Sequence, residues 1–309
     1  MAKNIESPAD YIVPLYINGL NGRLLRLPAP KKHKREILFV YGHHSTLERW
    51  WGLVQDLNQY GAITMPDLPG FGGMDSFYKI GEKPTLDNLA DYLAAFVKMH
   101  YKRRRFTIAG LSFGFIVATR MLQRYPDLAS KVDMVVSIVG FAHHDDFMFT
   151  PTRHRMYLAT SRVLSHRLPS IFFKNVCLHP LVLRAAYAKT HNAKHKFKNT
   201  SPEEFKRLMN FEVHLWQAND PRTHMYTTTV MLTIDNCHKR VDLPVWHVSV
   251  EGEKYFDNNR VEQHLRVIFN DFHSAVSILD NHAPSVIADK EAAAPLIPKK
   301  IRQALSRQQ

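Results

Sequence analysis

Ser112 lies at the centre of a Gly-Leu-Ser-Phe-Gly sequence, residues 110–114, which constrains the fold of this chain more than any other feature. A strand-like run, residues 105–109, comes directly before it, and a helix-like run, residues 115–124, comes directly after it. A serine in this position sits on a very sharp turn, and the flanking glycines leave room for the chain to pass close by. Its hydroxyl points out from the end of the sheet, beside the positive N-terminus of the helix. The pattern predicts a nucleophilic serine, and an ordinary turn serine is the alternative.

Strand-like and helix-like runs alternate along most of the chain. This alternation predicts an α/β fold with a mostly parallel, doubly wound sheet that helices cover on both faces. Residues 10–30 hold two Asn-Gly pairs between apolar runs and predict a hairpin at the edge of the sheet. The other predicted strands cover residues 36–41, 61–67, 105–109, 132–140, 244–250 and 274–279, and the predicted helices between them include 85–99, 115–124 and 261–269.

A different pattern begins near residue 150, and no clear strand follows until about residue 240. Helical spacing predicts helices over residues 156–168, 180–190 and 201–215. The segment follows the carboxyl end of a strand, where open α/β sheets bind their ligands. We therefore expect a core formed by residues 1–145 and 241–309 and an inserted helical cap formed by residues 146–240. The apolar residues expected to line a pocket under this cap are Met148, Phe149, Phe172, Phe173 and Trp216.

A serine hydroxyl is a poor nucleophile until a base takes its proton. His282 follows the last predicted strand, and a loop leaving the carboxyl end of that strand can reach Ser112. Position rather than residue type favours His282, because the chain contains 18 histidines. A histidine of a surface turn is the alternative.

The base needs an acid that holds its tautomer and stabilises the imidazolium. Glu253 lies in the turn after the strand at 244–250 and is the preferred candidate, with Asp257 one turn later as the alternative. Asp145 and Asp146, which follow the preceding strand, are further candidates. A solvated loop carboxylate is the alternative for each of them.

The negative charge that forms on attack requires preorganised N–H groups. The backbone N–H of Phe113, directly after the serine, is one predicted donor. The backbone N–H of His43, in the loop after the strand at 36–41, is the other. The side chains of His43 and His44 either line the pocket or belong to the loop surface.

These pieces together resemble the α/β-hydrolase superfamily over nearly the full chain. The matching sequences are residues 41–43, 67–72, 110–114 and 281–284, and the order serine, acid, histidine also fits. The resemblance implies a serine hydrolase with a Ser-His-acid triad and a helical cap after the sixth strand. Tyr41 departs from the histidine usual in the family, and residues 252–255 depart from its usual Gly-x-x-Asp. Serine at position 112 disfavours haloalkane dehalogenases and soluble epoxide hydrolases, which use aspartate there.

The predicted function is hydrolysis of a carboxylic ester, thioester or lactone through an acyl-enzyme. A carbon–carbon bond hydrolase and an acyltransferase are alternatives, since both use the same triad. A non-catalytic ligand receptor on the same fold is the alternative from another class. The expected partner is a small acyl substrate, with an anionic one as an option, and no cofactor or metal is predicted. The sequence leaves the oligomeric state open.

The positive charge of the chain is uneven. Residues 151–240 hold 15 Lys/Arg and 5 Asp/Glu, a net of +10 out of the total of +13. Such a stretch attracts an anionic substrate, a membrane surface or nucleic acid. We favour a solvated helical face, with an anionic substrate or contact with a membrane surface as alternatives.

The sequence also contains weaker signals. Residues 143–146 (His-His-Asp-Asp) can bind a metal, although such groups at the start of a loop are usually solvated or line a pocket. Residues 194–198 mix bases with an aromatic residue, but without a recognised motif no nucleic acid is expected. Two cysteines, no long apolar run and no secretory N-terminal core make a reduced, cytoplasmic protein the expectation. Residues 298–302 predict an exposed tail or a short amphipathic helix.

Overall fold

A computed structural model describes residues 7–30, 35–102, 104–189, 201–279, 281–282, 284 and 288–307. Its centre is a sheet of eight strands in the order β1-β2-β4-β3-β5-β6-β7-β8. The strands are β1 (Ile12–Ile17), β2 (Leu20–Leu27), β3 (Glu36–Val40), β4 (Ala62–Pro66), β5 (Phe106–Leu111), β6 (Val132–Ile138), β7 (Val245–Val250) and β8 (Phe272–Ser277). The predicted fold class and edge hairpin are confirmed, because β1 and β2 pair antiparallel and strands β3 to β8 pair parallel.

The parallel part of the sheet is covered by helices on both faces. All six residues of β5 are buried, as expected for a strand with no solvent-facing side. The helices outside the segment between β6 and β7 are α1 (Trp51–Asn58), α2 (Leu86–His100), α3 (Phe113–Arg124), α4 (Pro126–Ala129), α10 (Asn258–Ile268), α11 (Lys290–Ala293) and α12 (Lys299–Ser306). The last of these is the predicted amphipathic helix, with Ile301, Ala304 and Leu305 buried.

Between β6 and β7 the described chain forms five α-helices, which lie between Pro151 and Leu232, and we call them the inserted helices. They are α5 (Pro151–Leu164), α6 (Arg167–Phe172) with a π-helical turn at Phe173–Cys177, α7 (Pro180–Lys189), α8 (Pro202–Ala218) and α9 (Pro221–Leu232). Three of them begin alike, with proline in the first turn after a capping Thr150, Ser201 or Asp220. Helix α9 was not predicted. Residues 194–198 lie outside the described residues, and the boundaries of the cap stay a prediction.

Cys177 and Cys237 are free thiols. Among the described residues, no helix combines the length and the apolar character that a membrane crossing requires.

One histidine is buried inside the sheet. His247 of β7 is 1% exposed, and its Nδ1 lies 2.9 Å from Ser137 Oγ on the neighbouring strand. Burial lowers the pKa of His247 to about 3, because the charged ring would lose its hydration. The unfolded chain therefore binds a proton at mildly acidic pH that the folded protein does not bind.

Stability should fall as the pH is lowered below about 6.5, because protonation then favours the unfolded state. Between about pH 6.5 and 4.5, His247 alone is expected to account for about 2 kcal/mol of this loss. Urea unfolding at several pH values measures it, and His247→Gln should remove that part of the pH dependence. Val248→Ala, in the same strand, is the control and should lower stability equally at every pH. Identical pH dependence in His247→Gln and the unmodified protein would contradict the prediction.

Candidate active site

Ser112 occupies the sharp turn that the sequence predicts. It connects β5 to α3 with φ 48° and ψ −115°, and it is 9% exposed. A Cβ atom on Gly110 would lie 2.6 Å from Phe115 Cα, and one on Gly114 would lie 2.2 Å from Val40 O. Real Cβ contacts are never this short, so both positions require glycine. The close packing fixes Ser112 in its strained conformation at the carboxyl end of the central strand.

The loop after β3 lies against this turn. A Cβ atom on Gly42 would be 3.4 Å from Ser112 Cβ and 2.8 Å from Leu111 Cδ2. The next residue, His43, places its ring 5.5 Å from that of Phe113. The two residues predicted to supply backbone N–H groups therefore lie side by side next to Ser112.

The His43 side chain points toward the inserted helices. Its Nε2 lies 2.8 Å from Thr227 Oγ1 and 3.2 Å from His224 O of α9, so Nε2 carries the hydrogen and donates it. Burial lowers the pKa of His43 to about 4. Burial also lowers the pKa of His224, with His43 and His44 adding to the effect. His43 therefore stays neutral around neutral pH and links the loop after β3 to α9.

His282 and Glu253 form a close pair. His282 Nδ1 lies 2.6 Å from Glu253 Oε2, and both side chains are mostly buried, at 17% and 4% exposed. The other oxygen, Oε1, accepts the backbone N–H groups of Lys254 at 2.9 Å and Tyr255 at 2.8 Å. Burial would raise the pKa of Glu253, but the hydrogen bond and charge of His282 and the two backbone N–H groups lower it. Glu253 is therefore an ionised acceptor that orients the imidazole ring.

The alternative acids have other partners. Asp257 caps the N-terminus of α10 by accepting the N–H groups of Asn259 and Arg260. Asp146 is fully buried and its carboxylate lies 2.6 Å from His264 Nδ1. The structure thus pairs His282 with the acid that the sequence preferred.

The groups singled out in the sequence all follow strands of the parallel part of the sheet. Ser112 follows β5, Glu253 follows β7 and His282 follows β8. The carboxyl ends of these parallel strands lie at the same edge, where ligands bind in this class of sheet. Lys254 Nζ and Asn281 Oδ1, 3.3 Å apart, add a second contact between the loops after β7 and β8.

Tyr41 replaces the histidine usual at its position and joins a buried polar network. Its hydroxyl donates to Asp67 Oδ1 at 2.8 Å and accepts the N–H of Leu68 at 2.9 Å. Burial and the nearby Asp67 raise the pKa of Tyr41, so it stays protonated and remains a donor. Arg23 completes the network, with Nε 3.1 Å from Asp67 Oδ2 and one NH2 group 2.6 Å from Gly72 O. Sequence reasoning missed Arg23, which lies on β2 and is far from Asp67 along the chain.

The network supports the glycine-rich loop at residues 68–73, which in turn is bonded to the inserted helices. Gly72 N donates to Asn219 Oδ1 at 3.0 Å, and Gly73 N donates to Ala218 O at 2.8 Å. Asp220 N donates back to Gly70 O at 2.8 Å. The Asp-Pro pair at 220–221, which is typical of a helix start, was the available sequence signal for this contact.

Aromatic side chains of the inserted helices lie over the loop after β3. The Trp216 ring is 4.1 Å from that of His44 and 5.0 Å from that of His224. Phe173 contacts Trp216 at 6.4 Å between ring centroids. Phe172 differs from the expectation that it lines the pocket, because it is 62% exposed. The neighbouring Phe173 takes the inward position.

Residues 143–145 bring three candidate metal ligands together. Nitrogens of His143 and His144 and a carboxylate oxygen of Asp145 lie within 4.8 Å of one another. However, His143 Nδ1, which is 3.6 Å from the Asp145 carboxylate, already accepts the N–H of Asp145. His144 Nδ1 lies 3.0 Å from Ile234 O, so this ring ties residue 144 to the chain that leaves the inserted helices. The cluster therefore has a structural role, because it joins the chain that enters the inserted helices to the chain that leaves them.

Comparisons with known proteins agree with this architecture. A family model described as alpha/beta hydrolase fold matches residues 36–230, more than half of the chain. No curated protein matches the chain in sequence. Among solved structures, the enol-lactonase from Burkholderia xenovorans LB400 is similar, with TM-score 0.64 and 13% identity over 96% of this chain and 100% of that one. A thermophilic esterase from Thermogutta terrifontis has TM-score 0.61 and 15% identity over 95% and 96%. An epoxide hydrolase has TM-score 0.61 and 14% identity over 95% and 97%.

Tyr41→Phe should destabilise the protein by about 1–3 kcal/mol, because Leu68 N–H loses its acceptor and Asp67 loses a donor inside the core. Urea unfolding measures the loss. Tyr16→Phe is the matched control, since Tyr16 is 68% exposed on the edge strand and should change stability by less than about 0.5 kcal/mol. Equal effects of the two substitutions would show that the hydrogen bonds of the Tyr41 hydroxyl contribute nothing to the free energy of unfolding.

Proposed function

Because the chain belongs to the α/β-hydrolase fold family, we propose that it is a serine hydrolase that cleaves a carboxylic ester, thioester or lactone through an acyl-enzyme. The observation that carries the proposal is the 2.6 Å contact between His282 Nδ1 and Glu253 Oε2. A carboxylate acceptor holds the hydrogen on Nδ1 and leaves the Nε2 lone pair available as a base. A receptor that only binds a ligand has no need of such a pair in a chain that also holds a strained serine at the end of a neighbouring strand.

In the proposed mechanism, Ser112 Oγ attacks the acyl carbon while His282 Nε2 takes its proton. The ionised Glu253 stabilises the imidazolium that forms. The imidazolium then returns the proton to the departing alcohol or thiol, which leaves an acyl-enzyme. Water attacks the acyl-enzyme in a second cycle, with His282 again as base, and the carboxylic acid is released.

The negative oxygen of the tetrahedral intermediate lies beside the backbone N–H groups of Phe113 and His43 in this proposal. Phe113 is the first residue of α3, so the positive end of that helix adds to the stabilisation. Neutral His43 suits the position, because its ring is bonded to α9 and fixes the loop that carries its own N–H. Preorganised donors of this kind usually contribute most to catalysis.

The side chains over the loop after β3 support an acyl substrate with an apolar portion. Trp216 and Phe173 supply apolar surface, and burial keeps the rings of His43 and His224 neutral. Two of the structural neighbours are an esterase and an enol-lactonase by name, and these names denote hydrolysis of esters and lactones. Ser112 replaces the aspartate that would be expected for epoxide opening, so the epoxide hydrolase neighbour is less informative about chemistry.

Ser112→Ala and His282→Ala should each lower the turnover of a small activated ester by roughly 10³-fold or more. A fluorophosphonate should label the unmodified protein on Ser112, because it mimics the tetrahedral intermediate. Mass spectrometry locates the adduct, and Ser130→Ala, at an exposed serine after α4, is the control. An adduct at another residue, or full activity in Ser112→Ala, would overturn the mechanism. Labelling without ester turnover would favour acyl transfer or carbon–carbon bond cleavage.

Glu253→Gln should lower kcat by about 10³-fold or more, because an uncharged partner no longer stabilises the imidazolium. Asp257→Asn is the matched control, since asparagine caps a helix as well as aspartate and activity should stay within about twofold. Steady-state kinetics at equal stability decides between them. The reverse ranking would assign the role to Asp257, and no effect from either would point to Asp145 or Asp146.

A further inference from the structure

The first part of the inserted helices has an extreme charge distribution. Residues 147–202 contain ten Lys/Arg and no Asp or Glu. The described cations of this stretch are exposed, at Arg153, Arg155, Arg162, Arg167, Lys174 and Arg184. A stretch with one sign of charge is usually polar throughout, as in a solvated helical face.

This surface is also unusually apolar. Nine of the 17 strongly exposed large apolar side chains in the described chain lie between residues 148 and 182. They are Met148, Met156, Val163, Leu168, Ile171, Phe172, Val176, Leu181 and Val182, with Leu168 78% and Phe172 62% exposed. Clustered exposure of this kind marks an interaction surface, whereas single exposed apolar residues are normal.

The apolar residues of α6 and the following π-helical turn share one face. Leu168, Ile171, Phe172 and Val176 occupy positions i, i+3, i+4 and i+8. This spacing places side chains on one side of a helix. On α5, the exposed Met156 and Val163 are seven residues apart and also share a face. We call these six residues and Leu181 the outer apolar face.

Other side chains of the π-helical turn, α7 and α8 are already packed. Leu178, Leu183 and Val213 form a buried cluster with Phe173 and Trp216. Trp216 in turn contacts His44, in the loop after β3, and His224, which contacts His43. The inner face therefore belongs to the candidate active site, and the outer apolar face has no part in it.

We propose that the outer apolar face docks onto the surface of an anionic lipid bilayer. Apolar side chains such as Leu168 and Phe172 would enter the boundary between headgroups and acyl chains, while Arg167 and Lys174 would contact anionic headgroups. The helices lie on the bilayer, since no described helix is long and apolar enough to cross one. Charge complementarity favours an anionic bilayer over a second copy of the chain, and the exposed apolar side chains favour it over nucleic acid.

A second copy of the chain is disfavoured, because it would bring two such cationic surfaces together. Nucleic acid would satisfy the charges but leaves the apolar side chains without a partner. An anionic bilayer satisfies both components at once. The docking proposal is independent of the chemistry at Ser112, and its test measures binding rather than turnover.

The test uses co-sedimentation of the full chain with vesicles of phosphatidylcholine alone and of phosphatidylcholine with phosphatidylglycerol. Binding should require phosphatidylglycerol and weaken as salt is raised, because screening removes the electrostatic attraction. Leu168→Ser with Phe172→Ser should reduce the vesicle partition coefficient by about tenfold or more. Arg167→Gln and Lys174→Gln should each reduce it by about fivefold.

Matched controls exist elsewhere on the surface. Tyr16→Ser removes an equally exposed apolar side chain from the edge strand, and Lys299→Gln with Lys300→Gln removes two exposed cations from α12. These variants should bind as the unmodified protein does. Circular dichroism and unfolding curves should be the same for all variants, since every position is exposed.

Three results would overturn the proposal. They are equal binding to neutral and anionic vesicles, no binding to either, and loss of binding in the controls as large as in the outer-face variants. Concentration-dependent dimers that the Leu168→Ser, Phe172→Ser variant abolishes, without vesicle binding, would instead assign the face to a second copy of the chain. Analytical ultracentrifugation distinguishes that case.

Discussion

The strained backbone at Ser112 is the feature on which the arrangement of the site depends. A non-glycine residue at positive φ costs about 1–3 kcal/mol, and it persists only where the surroundings allow no alternative. Here the surroundings are backbone atoms, because Gly110 and Gly114 bring the chain within contact of Phe115 and Val40. The same crossing places the start of α3 and the loop after β3 on either side of the serine. One local conformation thus positions both proposed oxyanion donors and the proposed nucleophile.

Much of this core could be predicted from sequence because its determinants are local. Apolar runs marked the buried parallel strands, and the position of Ser112, Glu253 and His282 after three of those strands placed them at one edge. The contacts that sequence reasoning missed are long-range. Arg23 meets Asp67 across 44 positions, and His43 meets Thr227 across 184. No periodicity or spacing in the chain records such pairings, which arise only when the sheet and the inserted helices pack.

Orientation was also beyond the sequence. The helical segment around residues 168–183 carries apolar residues on two sides, so its spacing alone does not say which side faces the core. Packing resolves this, because Phe173 joins Trp216 while Phe172 remains in solvent. Composition does not reveal how burial distributes charge: burial keeps the rings of His43 and His224 neutral, whereas the described cations between residues 153 and 184 are exposed. The segment is therefore neutral and aromatic toward the site and cationic toward solvent.

The contact between His43 and Thr227 has a consequence for how a ligand enters. Helix α9 is anchored to the core by this side-chain contact and, at the residues directly before it, by hydrogen bonds to the glycine-rich loop. Any motion that lifted α9 would pull on the residue whose N–H is a proposed oxyanion donor. Passage under α9 would therefore disturb the very geometry that the reaction needs. A route that leaves α9 at rest would instead keep His43 and its N–H in place while a ligand enters and leaves.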